Sequence, residues 1–217
     1  MSIVKIQNLV FDVDGTLLDS KRDIAGAQLW ALQQLGVHHY TEEDIYPHIG
    51  KPLRETFGVL LPSDLHHRIP DAAVLYRNYY LPRAFDTTIL FPGVKETLDI
   101  LHMKGFHIAA ATTKSTETTG RVLAHFGIAH YFIQLQGTDN VPPKPDPFIL
   151  NKLIGDQGWK KVATMMVGDS SSDVLAARSA GIAICGVTYG SSTKEKMEAL
   201  HPDTMIDTFP QLLSILS

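Results

Sequence analysis

Residues 9–20 read LVFDVDGTLLDS. An apolar run ends in Asp12 and Asp14, and Gly15 and Thr16 follow at once. Carboxylates two residues apart on a strand share one face and repel each other. A strand-to-turn junction accounts for Asp14-Gly15, because glycine accepts positive φ. It gives no reason for Asp12 at the end of the apolar run. A divalent cation relieves the repulsion, and hard carboxylate oxygens suit Mg²⁺.

Outward from this stretch the chain has two textures. From about residue 92, apolar β-rich runs alternate with helical patterns: FHIAAATT (106–113), YFIQLQG, VATMMVGD, IAICGVTYG and TMID read as strands. Between them STETTGRVLAHFGI reads as a helix stopping near Gly127, and PDPFILNKLIG as one with Pro in its first turn and Gly155 at its end. SSDVLAARSAG, stopped by Gly181, TKEKMEAL and the closing FPQLLSILS complete the series. Near-continuous apolar strands separated by helices specify a parallel sheet covered on both faces. The first strand belongs to the same sheet by composition. Residues 17–88 differ, having helical periodicity, frequent proline and no convincing strand. The expected fold is therefore α/β: a Rossmann-like parallel sheet core formed by residues 1–16 and 89–217, with an inserted α-helical cap domain at 17–88. Such an insertion sits over the crevice where open α/β sheets bind ligands.

Composition narrows the classes. The chain has 217 residues, 44% hydrophobic and 19% charged, enough apolar material for one core and a smaller insertion. A formal charge of -4 argues against nucleic acid as a partner. The single cysteine, Cys185, permits no internal disulfide and fits a reducing compartment. The opening MSIVKIQNLVF reads as a strand rather than a leader, and no run approaches the ~20 apolar residues of a membrane span. The expectation is a cytoplasmic protein with no membrane partner, monomeric or homodimeric.

Four places carry candidate chemistry. The first is Asp12 with Asp14. The second is AAATTK, where Thr112 and Thr113 end a buried strand before Lys114 and a helix; hydroxyls and free N–H groups at a helix start can hold an anion, though they are more often plain caps. The third is PPKPDPF, where flanking prolines restrict Lys144. The fourth is MMVGDSSSD: Asp169 and Asp173 follow another strand, either as helix caps or as a metal ligand and its supporting partner. All four lie at strand C-termini and so face one edge of the sheet. Their pooled carboxylates need a cation and Lys144, and a phosphate would complete the octahedron of Mg²⁺.

FDVDGTLLDS, FPGVKETLDILHMKGFHIAAATTK, KPDP and VGDSSSDVLAARSAGI, in this order and spacing, resemble the phosphatase side of the haloacid dehalogenase superfamily. The likeness runs nearly the full length and is nearest to the phosphoglycolate phosphatase group, whose helical cap follows the first motif. It implies roles. Asp12 would attack phosphorus and form an aspartyl-phosphate. Asp14 would bind Mg²⁺ through its carbonyl, protonate the leaving alcohol and then deprotonate water. Thr112 and Thr113 would hold the phosphoryl group, and Lys144 would neutralise the nucleophile and phosphate oxygens. Asp169 would bind Mg²⁺ directly and Asp173 through water. Thr113 stands where many relatives of the group have Asn. HIGKPLRETF (48–57) looks like the cap specificity loop, with Gly50 at a turn and Lys51 and Arg54 facing an anionic leaving group or merely solvent.

The expected activity is Mg²⁺-dependent hydrolysis of a small phosphorylated metabolite, a phosphoglycolate-like monoester. A pyrophosphatase of the same family and a β-phosphoglucomutase-like sugar phosphomutase are the alternatives, and a non-catalytic phospholigand binder is a third. Tyr76, Tyr79 and Tyr80 read as cap core, and the pairs His38-His39 and His66-His67 as surface, since adjacent residues on a helix do not face one another.

Overall fold

The structure is a computed structural model and describes residues 5–216. The sheet strands are β1 (Asn8–Phe11), β4 (His107–Ala111), β5 (Gln134–Gln136), β6 (Thr164–Gly168), β7 (Ala183–Val187) and β8 (Thr204–Ile206), with the short connecting strands β2 (Leu18–Asp19) and β3 (Ile89–Leu90) paired separately. The six-stranded sheet has the order β5-β4-β1-β6-β7-β8, and the pairs are parallel. Counted along the chain this is the doubly wound order, which reverses between β1 and β6. Ligands bind at such a reversal, beyond the strand C-termini.

The sheet is buried on both faces, as its unbroken apolar strands require. Val10 packs with Ile149, Leu150 and Leu153 of α7 (Phe148–Asp156) and with Val174 and Ala177 of α8 (Ser171–Ala180). The next residue points the other way: the Phe11 ring lies 5.5 Å from that of Phe209. Helices α5 (Val94–Met103) and α10 (Leu212–Ile215) pack on each other there, and Leu98, Leu101 and Leu212 are fully buried.

Three local expectations change. Strand β1 starts at Asn8, so Lys5, Ile6 and Gln7 precede it and Met1, Ser2, Ile3 and Val4 lie outside the described residues. Gly155 sits inside α7 rather than ending it; Pro147 is the N-cap, and Gly158, at φ 64°, lets the chain turn after Gln157. Strand β5 begins only at Gln134, because Ala129–Tyr131 forms a 3₁₀ turn. Elsewhere α6 (Thr116–His125) and α8 end at Gly127 and Gly181, both at positive φ, and α9 (Lys194–Ala199) precedes β8.

The chain divides into two compact units, one comprising residues up to Leu18 and from Leu90 onward, the other Asp19–Ile89. The second unit has its own core. Helices α1 (Lys21–Gln34), α2 (Glu42–Ile45), α3 (Leu53–Leu60) and α4 (Ile69–Tyr80) bury Ile24, Leu32, Ile45, Phe57, Leu60 and Tyr80 together. Trp30 stacks on Tyr79 at 4.7 Å and Tyr76 on Tyr80 at 5.3 Å, so the tyrosine stripe is packing. The four paired histidines are exposed. The Asp23 carboxylate accepts hydrogen bonds from the backbone and hydroxyl of both Thr87 and Thr88, joining the entry and exit of this unit. Among the described residues no helix is long and apolar enough to cross a membrane.

Phe57 is fully buried in the second core while Val59, on the same helix, is 64% exposed. Phe57→Ala is expected to destabilise the protein by about 3–5 kcal/mol and Val59→Ala by less than about 1 kcal/mol. Urea unfolding of the two variants checks this; equal effects would contradict the burial assigned to α3.

Candidate active site

The site begins where β1 and β6 end side by side. The Asp12 amide donates to the Val167 carbonyl at 2.9 Å, which brings Asp12 alongside Gly168 and Asp169. Lys144 reaches the same point from the proline-rich segment ahead of α7. Its ammonium donates to Asp12 Oδ1 at 2.7 Å, Asp173 Oδ1 at 2.6 Å and the Ala111 carbonyl at 2.7 Å. Those three bonds use every donor of the ammonium. Lys144 is 2% exposed, Asp12 8%, Asp169 1% and Asp173 0%.

Each acid is anchored differently. Asp173 gives Oδ2 to the start of α8, accepting from the Ser170 amide at 3.0 Å and hydroxyl at 2.7 Å in a capping box, and gives Oδ1 to Lys144. Asp173 therefore caps α8 with one oxygen and pairs with Lys144 through the other. Asp169 Oδ2 accepts from the Ser191 amide at 2.7 Å and hydroxyl at 2.5 Å, and Oδ1 from the Thr16 hydroxyl at a long 3.4 Å. Asp12 Oδ2 accepts no hydrogen bond among the described residues, so one oxygen is left with its lone pairs unshared. Gly15, at φ +86°, is indispensable here: a Cβ on it would lie 2.2 Å from Asp169 Oδ2.

Asp14 is placed apart from this group. Its carboxylate pairs with Lys114 at 3.0 Å and is not among the three acids that converge. The repulsion expected between Asp12 and Asp14 is thus met by a separate lysine for each. Thr112 and Thr113 follow β4, the neighbour of β1. The Thr112 amide donates to the Gln136 carbonyl at 3.1 Å, and its hydroxyl oxygen accepts from the Lys114 amide at 3.2 Å. The Thr138 hydroxyl and amide bond to the Thr113 and Lys114 carbonyls, fixing this loop. Gly50, at φ +88°, and the exposed Lys51 and Arg54 belong to the second unit, Arg54 on α3.

Sequence reasoning missed the contributions of Lys114, Thr138 and Ser191. Lys114 stands next to an assigned threonine and was a candidate by position. Ser191 is an ordinary loop serine 22 residues beyond Asp169, and its only local signal is the glycine before it.

Oxygens of Asp12, Asp169 and Asp173 lie within 4.8 Å of one another. One ammonium against three buried carboxylates leaves two negative charges unmatched. Burial, reinforced by the charges of Asp173 and Asp169, pushes Asp12 well above the usual carboxylate range despite Lys144. Burial and the charge of Asp173 push Asp169 up to about 6 against the Ser191 hydrogen bonds. Burial works against the Lys144 ammonium, but Asp12 and Asp173 outweigh it and hold its pKa above the ordinary lysine value. An all-oxygen donor set with a deficit of two positive charges fits a hard divalent cation.

Residues 9–187 match the family model described as haloacid dehalogenase-like hydrolase. The chain belongs to this family. It is 36% identical over 220 residues to a phosphoglycolate phosphatase of Vibrio parahaemolyticus, covering 98% of this chain and 96% of the relative. A solved haloacid dehalogenase-like hydrolase of Streptococcus pneumoniae superposes with a TM-score of 0.90 at 26% identity, covering 98% of this chain and 99% of that one. A structure described as a predicted phosphoglycolate phosphatase of Haemophilus somnus gives 0.85 at 29% identity, covering 98% of both chains.

The raised Asp169 gives a pH signature of inverted sign. Its folded-state pKa of about 6 exceeds the ordinary 3.8, so its stabilising contribution is present at low pH and is lost as pH rises through about 6. In chelator, wild type is expected to gain stability relative to Asp169→Asn between about pH 7.5 and about pH 5. Urea midpoints of the two proteins at both pH values check this; a relative loss would contradict it.

Proposed function

We propose that this hydrolase is a Mg²⁺-dependent phosphatase that forms an aspartyl-phosphate on Asp12. The observation that carries the reading is the convergence of Asp12, Asp169 and Asp173 on one another at the sheet's reversal point, with Lys144 bonded to Asp12 and Asp173. In phosphoryl transfer, catalysis is mostly alignment of the attacking and leaving oxygens together with neutralisation of charge on the phosphoryl oxygens. Lys144 orients Asp12 through Oδ1, which leaves Oδ2 to attack phosphorus. A bond forms between that oxygen and phosphorus as the bond from phosphorus to the ester oxygen breaks. Asp14, next along the chain but one, donates a proton to the departing alkoxide. Water then attacks the same phosphorus and gives its proton to Asp14. The Asp12–phosphorus bond breaks, releasing inorganic phosphate and restoring both carboxyl groups.

Thr112 and Thr113, held by Thr138 and Gln136, take the phosphoryl oxygens through hydroxyl and amide donors. Asp12, Asp169 and the Asp14 carbonyl would hold Mg²⁺, with Asp173 in support; Asp12, Asp169 and Asp173 offer carboxylate oxygens within 4.8 Å of one another. When bound, the cation would supply positive charge to the carboxylate and phosphoryl oxygens. Lys51 and Arg54 on the helical unit, beside the turn at Gly50, select the leaving group by charge. The name of the curated Vibrio relative favours 2-phosphoglycolate, a small monoester whose leaving group carries a carboxylate that Lys51 or Arg54 can pair with.

Release of inorganic phosphate should be measured from 2-phosphoglycolate, pyrophosphate and a hexose phosphate, with Mg²⁺ and with chelator. The expected result is Mg²⁺-dependent release, greatest from 2-phosphoglycolate. Asp12→Asn should lower it by about three orders of magnitude or more, because the nucleophile is lost. Turnover that survives either chelation or that substitution would rule out the mechanism.

A further inference from the structure

The segment after β7 carries three residues that the chemistry above does not use. Tyr189 donates its hydroxyl to the Thr16 carbonyl at 3.0 Å, tying this segment to the loop that follows Asp12. Its ring also meets Phe91 edge-on at 4.7 Å. Gly190 passes so close that a Cβ would stand 2.3 Å from the Gly15 carbonyl and 2.4 Å from Asp169 Cβ. Ser191 then delivers two donors, amide and hydroxyl, to one oxygen of Asp169. Three consecutive residues thus close over Asp169 and over the 14–16 turn together.

The pattern of bonds on Asp169 is asymmetric. Oδ2 takes both short bonds from Ser191, whereas Oδ1 has the single 3.4 Å contact from Thr16. A carboxylate with one oxygen doubly engaged has that oxygen's lone pairs committed, and its torsion is fixed. The other oxygen keeps its lone pairs for a cation. Ligands held in this way bind metal more tightly, because the ordering is complete before the ion arrives.

We propose that Ser191 is a positioning residue for the divalent cation, holding Asp169 so that it offers Oδ1 as a single-oxygen ligand, with Gly190 making the approach possible. The inference rests on the reading of Asp169 as a cation ligand. Because Ser191 is itself exposed, removing its hydroxyl takes away one bond without opening the core.

Direct calorimetric titration of the full chain with MgCl₂, without substrate, tests this. Wild type should bind one divalent cation. Ser191→Ala should bind it about tenfold more weakly, and Ser191→Thr, which keeps the hydroxyl, should recover most of the loss. Gly190→Ala should weaken binding further, since its Cβ displaces Asp169. Metal-free melting temperatures, read beside the titration, separate positioning from general stability, since Ser191→Ala loses one hydrogen bond to Asp169 and no core packing. Unchanged or tighter binding by Ser191→Ala while wild type binds the cation would overturn the inference and leave the reading beneath it standing. Failure of wild type to bind any divalent cation would overturn both.

Discussion

A single ammonium between two buried carboxylates holds this sheet edge together. Lys144 joins Asp12, 132 residues earlier, to Asp173, 29 residues later, and fixes itself to the end of β4 through the Ala111 carbonyl. Taking such charges out of water costs several kcal/mol per ion, and removing one partner typically costs about 3–5 kcal/mol because the other is left stranded. A network serving stability alone would be balanced in charge. This one is not, since Asp169 adds a third acid against the same lysine. Burial, with that imbalance added to it, displaces Asp12 and Asp169 upward. Acids held in this state cluster where chemistry is done.

The fold was legible because its signals are local. The unbroken apolar runs of β1, β4, β6 and β7 differ plainly from the amphipathic helices between them, and glycines at Gly127 and Gly181 end helices where backbone geometry favours them. Gly155 misled because glycine is also tolerated inside a helix when nothing crowds it, and only the conformation of Gly158 distinguishes the two. Asp12, Asp169, Asp173 and Lys144 could be singled out because each follows a strand or stiff turn and carries a charge that needs explaining. Their partners could not. Ser191 and Thr138 are common loop residues, and their importance comes from contacts that exist only once distant strand ends are brought together. The pairing of Asp14 with Lys114 is of the same kind: each residue was visible, but not that Asp14 would pair with a lysine other than the one shared by Asp12 and Asp173.

The helical unit illustrates how a chain can carry an insertion without disturbing the sheet. Its entry and exit run through β2 and β3, which pair with each other, and Asp23 gathers Thr87 and Thr88 at the same place. Hydrogen bonding lowers the Asp23 pKa and so favours its charged, accepting form, although partial burial opposes it. With both ends tied and a separate core, this unit contributes little to the register of β1, whose neighbours are β4 and β6.

In the proposed mechanism Asp12, oriented by Lys144 and relieved by a cation shared with Asp169, becomes esterified to phosphorus. The most direct measurement is a crystal structure of the chain grown with Mg²⁺ and fluoroberyllate, which mimics a phosphoryl group on a carboxylate. The expected result is beryllium bonded to a carboxylate oxygen of Asp12, a cation in contact with Asp12 and Asp169, and Lys144 still hydrogen-bonded to Asp12. Beryllium bonded to a different residue, or a cation bound away from Asp169, would contradict it.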